Sequence, residues 1–298
     1  MKILYKIKSQ KIRKDPLIKI KVILLIFIPS LLIAQIYSDK DVEVCKDKFK
    51  LAVDQNLEKK PIGDVIAAVG KSFIGTDYVA HTLEKGDTET LVINLTGLDC
   101  TTFLENCLVL ARCIKEKKTT FKDYENELIK IRYRNGIIDR YPSRLHYFSD
   151  WIYDNEKKGV VKNISKEIGG DSIRFNLDFM TTHPDLYVQL KRDPGFIPII
   201  EKQEKEINKR RYYFIPKEKV SDIEKKIENG DLIAITSNVK GLDINHVGIA
   251  VRMDDGRIHF MHAPDVGYKV QITDVPLADY LMKFEKDTGI IVLRPLEP

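Results

Sequence analysis

The sequence predicts an α+β fold, with helices first and an antiparallel sheet afterwards. Two observations carry this. Phe103, Leu104, Cys107, Leu108, Leu110, Ala111 and Ile114 recur at helical spacing in the first half. The last third instead strings together short β-prone runs, with Asp254-Asp255-Gly256 as a strong hairpin turn. Helices and strands segregated in that order indicate α+β.

The elements follow along the chain. Pro61 to Gly70 reads as a helix with proline in its first turn. Phe73 to Glu84 reads as loop, and Leu91 to Leu95 as a short strand ended by Thr96-Gly97. Asp99, Thr101 and Thr102 suit a helix start, with Glu105 behind them, so Cys100 falls at the N-terminus of a buried helix. Further helices are expected over Phe121–Arg134, stopped by Asn135-Gly136, and over Leu145–Lys157. The stretch 160–211 mixes charge with Pro and Gly and shows no clean period, so it reads as an insertion on the core, with Phe179–Val188 a candidate substrate wall. Strands are then expected over Asp231–Thr236, Asn245–Arg252, Arg257–Ala263, Gly267–Ile272 and Gly289–Leu293, with a helix over Leu277–Lys286.

The first 38 residues are of a different kind. Eight Lys/Arg and one acid accompany an apolar run from Val22 to Ala34, with small residues near Ala34 or Ser38. That pattern fits a secretory signal peptide, and the apolar run is shorter than the roughly 20 residues a spanning helix needs. A retained anchor is the alternative. Of the chain's formal charge of +5, residues 1–38 carry +7, so the remainder holds −2. The apparent basicity thus belongs to the leader, and nucleic-acid binding loses its main support. Residues 39–298 suffice for a single large domain carrying the insertion. The four cysteines, Cys45, Cys100, Cys107 and Cys113, are too few for a disulfide framework and show no CxxC spacing. Cys107 and Cys113 sit in the apolar stripe and read as packed thiols.

Cys100 is placed for chemistry. A helix N-terminus offers a positive dipole end and free backbone N–H groups, which favour a thiolate and can hold an oxyanion. His246 opens a strand, with Gly248 and Ala250 on its face and Val247, Ile249 and Val251 on the other. The small residues on the His246 face suggest that the Cys100 helix packs there. His262 lies on the strand after the hairpin and can orient the His246 ring, because paired antiparallel neighbours point the same way. His259, three residues earlier, points to the opposite face. Asp99, Arg144, His146, Tyr147 and Trp151 are candidate substrate contacts: aromatic faces stack on sugar rings and Arg forks onto carboxylates. Competing roles are helix capping for Asp99 and core packing for Trp151. Arg132 and Arg134 read as an exposed helix face, and His81 and His183 as surface residues.

Leu98-Asp-Cys-Thr-Thr-Phe, Asn229-Gly-Asp-Leu-Ile, His246-Val-Gly-Ile and Met261-His-Ala-Pro, in that order, resemble the NlpC-type papain-like cell-wall hydrolases. The resemblance is nearer to the N-acetylmuramoyl-L-alanine amidase-like subfamily. Gly75 to Glu84, Asp99 to Glu105 and Ser143 to Trp151 carry that finer match. It implies a papain-like core with Cys100, His246 and His262 as the catalytic set and Tyr78 lining the site. It further implies muropeptides as substrates, cleavage between muramic acid and L-alanine, an exported enzyme, and no cofactor or metal. Alternatives left open are a D-glutamyl-diaminopimelate endopeptidase or an acyltransferase with the same residues, a wall-binding module, and a zinc hydrolase using His246, His259 and His262. The last lacks any HExxH motif.

Overall fold

The computed structural model describes residues 35–265 and 267–298. The expected signal peptide lies outside the described residues except for positions 35–38. Those four join the fold. Gln35–Ile36 (β1) pairs in parallel with Leu91–Val92 (β3), and Ser38 caps the first helix, α1 (Asp39–Asp54). Ser38 and Asp41 form a reciprocal capping box, and the second oxygen of Asp41 accepts from the Leu95 N–H at 2.7 Å. α1 buries Cys45, Phe49 and Ala52, one turn apart each.

α2 (Ile62–Lys71) starts after Pro61, as the sequence predicts. The loop that follows contains a two-residue strand, β2 (Asp77–Tyr78), paired in parallel with β4 (Gly97–Leu98). The expected strand 91–95 is reduced to β3. Then comes α3 (Cys100–Glu116), which buries every residue from Thr102 to Ile114. Asp99 is its N-cap: its side chain accepts from the Thr102 N–H at 2.7 Å, and Thr102 Oγ1 accepts from the Asp99 N–H at 2.9 Å. Glu105 takes no part in the cap.

α4 (Phe121–Arg132) ends two residues before the prediction, because Asn135 and Gly136 both adopt positive φ in the turn that follows. α5 (Phe148–Lys157) starts three residues late. Leu145 instead donates its N–H to the Arg132 carbonyl, and Arg144 bridges to Tyr133, so residues 144–147 stay extended against the end of α4.

The stretch 160–211 is more regular than its sequence suggests. It holds β5 (Val161–Asn163), β6 (Asp171–Ile173), α6 (Phe179–Thr182), α7 (Val188–Arg192) and α8 (Ile197–Asn208). β7 (Tyr212–Pro216), α9 (Val220–Ile223), β8 (Leu232–Ser237), β9 (Ile244–Arg252), β10 (Ile258–His262), β11 (Gln271–Ile272), α10 (Leu277–Leu281) and β12 (Asp287–Pro295) complete the chain. The expected strand 267–272 is only β11, and the expected helix 277–286 stops at Leu281.

The main sheet runs β11-β10-β9-β8-β12-β7-β6, with β5 also on β12, and all these pairs are antiparallel. One face, carrying Ala234, Val247, Ile249, Val251, Met261 and Ile291, packs into one core with α1 to α5. The other, with Ile233, Ile235, Ala250, Phe260 and Val292, is covered by α9 and α10. This corrects one expectation. α3 lies on the Val247 face, opposite Gly248. Gly248 is small for its hairpin partner, since a Cβ there would sit 2.7 Å from the Phe260 ring and 2.6 Å from the Met261 carbonyl. Among the described residues no helix is long and apolar enough to cross a membrane.

Candidate active site

The cap at Asp99 sets Cys100 as the first residue of α3, half-buried, while Cys45, Cys107 and Cys113 are buried free thiols. The Cys100 sulfur lies 3.9 Å from the Thr101 hydroxyl and shares a cavity wall with His246 and Val247. Although α3 packs on the far sheet face, its first residue therefore reaches β9 beside His246. Burial pushes the thiol up to about 12, the Asp99 charge adds to this, and the donors from Val247 and Thr101 pull it partly back.

His246 and His262 share the other face of the sheet. His246 Nε2 and His262 Nδ1 are 2.7 Å apart, so one carries the hydrogen that the other accepts. His262 is buried, with Phe260 and Tyr280 rings around it at 4.8 and 5.4 Å between centroids. Burial pushes His246 down to about 4, against a smaller upward pull from Asp265. It pushes His262 down to about 3, with His246 adding. Both rings are neutral at pH 7, facing a neutral thiol. His259 instead bonds Thr273 and Asp255, on the opposite face as expected.

The buried neutral imidazoles make stability pH-dependent. His146, held well below its ordinary value by burial, joins His246 and His262. Below the unfolded value near 6.5 the unfolded chain takes up protons that the native rings refuse, so stability is full above about pH 6.5 and falls towards pH 4. Each ring contributes at most about 1.4 kcal/mol per pH unit. Urea unfolding of wild type and His262→Gln across that window is expected to show the shallower slope in the variant.

Cys100, Asn245 and His246 line two cavities. One, of about 200 Å³, is walled by Thr101, Tyr141, His146, Tyr147, Met180 and Tyr187 among others. The second, about 230 Å³, is walled by Tyr78, Pro264, Asp265, Tyr280, Phe284 and Asp287. A substrate bond laid across the thiol would thus have a pocket on either side. Met180 and Tyr187 put the stretch 179–188 into the wall of the first. Sequence reasoning missed Asn245, Asp265, Tyr280 and Asp287. Only Asn245 carried a signal, as the immediate neighbour of His246.

The candidate contacts divide. Tyr78 borders the second cavity, and burial pushes its phenol up to about 12. His146 and Tyr147 border the first. His146 Nε2 bonds the Tyr141 carbonyl at 2.9 Å, and the Tyr147 hydroxyl donates to Glu204 at 2.7 Å while accepting from the Met180 N–H. Asp99 is spent on the cap. Trp151 is not positioned for a sugar: it is 1% exposed, stacks on Phe148, and donates to Glu105 at 3.2 Å. Arg144 is also committed elsewhere. Its guanidinium is buried and bonds Glu84 at 2.7 Å and the Leu83 carbonyl at 3.2 Å, with Glu89 at 3.6 Å. It pins the loop over residues 83–89. Arg144→Ala is therefore expected to cost about 3 kcal/mol or more of stability and to open that loop to proteolysis. A substrate-binding arginine would show mainly a raised KM. Arg132 is buried as well, on Glu105, and Arg134 pairs with Asp150. His81 and His183 line neither cavity. Among the described residues no group of three His, Cys, Asp or Glu is arranged to hold a metal.

A thiol at a helix start, beside an imidazole that a second imidazole holds, is suited to acyl transfer. The model of the family described as AmiA-like, N-acetylmuramoyl-L-alanine amidase-like, matches residues 68–290, well over half of the chain. The chain belongs to the AmiA-like family. A solved N-acetylmuramoyl-L-alanine amidase from Bacteroides uniformis ATCC 8492 is 37% identical with a TM-score of 0.76, over 79% of this chain and 99% of that one. A Bacteroides fragilis structure named as a candidate xylanase is 39% identical with a TM-score of 0.72, over 76% of this chain and 98% of the other. A protein from Legionella pneumophila str. Philadelphia 1 shares the fold at 22% identity and a TM-score of 0.64, over 87% of this chain and 97% of its own. No curated protein matches the chain. As an AmiA-like protein it has an α+β fold and an amidase-like, peptidoglycan-related assignment.

Proposed function

We propose that this AmiA-like protein is a cysteine amidase of NlpC-type, papain-like design that hydrolyses the amide between N-acetylmuramic acid and L-alanine in peptidoglycan fragments. The observation that carries the reading is the set of Cys100, His246 and His262: Cys100 and His246 line the same two cavities, and the two imidazoles are bonded at 2.7 Å. In this reading His246 donates Nε2–H to His262, and Nδ1 is then the nitrogen left to accept the thiol proton. Because the resting thiol and imidazole are both neutral, the proton passes from sulfur to Nδ1 as the sulfur attacks the lactyl carbonyl.

The new S–C bond gives a tetrahedral oxyanion, held by backbone N–H groups at the α3 start. The C–N bond then breaks, and imidazolium Nδ1 returns the proton to the departing alanine nitrogen. Water, deprotonated by the same nitrogen, attacks the thioester and releases the sugar acid and the thiol. Export, the expectation carried by the basic and apolar start of the sequence, suits a wall substrate, with any cleavage falling before Gln35–Ser38, which belong to the fold. A xylanase would need two carboxylates flanking a glycosidic bond; Glu84 and Asp243 line the first cavity and Asp265 and Asp287 the second, but the groups common to both are Cys100, Asn245 and His246.

Incubation with N-acetylmuramoyl peptides and mass spectrometry of the products tests the reading. Free sugar acid with a peptide beginning at L-alanine is expected. Sugar still bearing alanine and glutamate would place the cut after D-glutamate and overturn it.

A further inference from the structure

Strand β8 is flanked by two irregularities at one level. On one side the register with β9 slips between Ile235–His246 and Thr236–Ile244, which leaves Asn245 as an extra, bulged residue. On the other the register with β12 slips between Asp287 and Gly289, which leaves Thr288 extra, and Thr288 Oγ1 lies 2.7 Å from Thr236 Oγ1. The two bulges are joined over β8 by one bond, from Asn245 Nδ2 to Asp287 Oδ1 at 2.8 Å.

Bulges re-aim the side chains beside them. The residue after the β9 bulge is His246. Its partner Ile235 fixes it on the His262 face. Asp287 is 3% exposed and borders the second cavity, whereas Asn245 is exposed and borders both. Burial raises the Asp287 carboxyl above its ordinary value, and the Asn245 donor opposes this. A buried carboxylate with that one side-chain donor is costly to keep for packing alone.

We propose that Asp287 is a positioning residue: through Asn245 it locks the β9 bulge and so holds His246 at its working angle to Cys100. This rests on the amidase reading of the Cys100 site. A ring displaced by about 1 Å costs up to about 100-fold in rate without weakening substrate binding. Asp287→Ala and Asn245→Ala are each expected to lower kcat about 10- to 100-fold with KM within about twofold of wild type. Since both break one bond, the double variant should be no slower than the worse single. Asp287→Asn keeps an acceptor for Asn245 and should recover most of the loss.

Steady-state kinetics on an N-acetylmuramoyl peptide, with thermal unfolding of each variant and Cys100→Ala alongside, tests this. If Asp287→Ala does not fold, Asn245→Ala, with its exposed side chain, still reports on the bond. Additive losses, losses carried by KM, or wild-type kcat in Asn245→Ala would each overturn the proposal. Turnover surviving in Cys100→Ala would instead remove the amidase reading beneath it.

Discussion

Cys100→Ala is expected to lower kcat by about 10⁴-fold or more while the fold persists. The thiol is half-buried at the first position of α3, its cap depends on Asp99 and Thr102, and alanine is the best helix former. Unfolding free energy should therefore change by less than about 1 kcal/mol, so lost turnover cannot be charged to lost structure. Cys100→Ser should be nearly as slow, because a hydroxyl is a far weaker nucleophile beside a base held down to about 4. Turnover within tenfold of wild type in Cys100→Ala would exclude covalent catalysis at this position.

Glu105→Ala carries the largest expected effect on stability. Glu105 is 2% exposed in the middle of α3 and accepts from Arg132 Nε at 2.7 Å and from Trp151 Nε1 at 3.2 Å. Arg132 is itself buried, and its remaining partner is the Val92 carbonyl at 2.6 Å. Removing the carboxylate leaves a buried guanidinium without its counter-charge and an indole N–H without an acceptor. Breaking such a pair costs about 3–5 kcal/mol, a large share of a domain's usual 5–15 kcal/mol. Glu105→Gln, which keeps one acceptor oxygen, should lie between the two. Urea unfolding followed by Trp151 fluorescence measures all three, and a Glu105→Ala protein within 1 kcal/mol of wild type would contradict the account.

These residues also show what the sequence discloses. The start of α3 was readable because capping is local: Asp99 and Thr102 sit three apart, ahead of an apolar stripe. The His246–His262 bond was readable only in part: residues of like parity on neighbouring strands share a face, but with Met261 opposite Ile249 the two rings meet diagonally rather than as direct partners. Helix α1 carries the same signals, Ser38 with Asp41 and a Cys45-Phe49-Ala52 stripe, but beside the basic and apolar start of the chain they do not stand out. Helix α8 hid behind charge, since only Ile200, Glu204 and Ile207 turn inward.

Residue type alone misled where a partner decides the role. Arg144 and Trp151 have the chemistry of substrate contacts, yet Glu84 and Glu105, distant in sequence, hold them inside. The packing face of α3 is not legible in the sequence, because Gly248 answers to Phe260 rather than to the helix. Asn245 and Asp287 could not be paired in advance, because a bulge breaks the period-two pattern on which register reasoning depends.

The most direct test of the central claim is to quench the reacting enzyme in acid and map the acyl group by tandem mass spectrometry. An N-acetylmuramoyl mass on the Cys100 peptide, absent from Cys100→Ala, is the expected result. An acyl group that retains alanine, or one carried by a different residue, would contradict it.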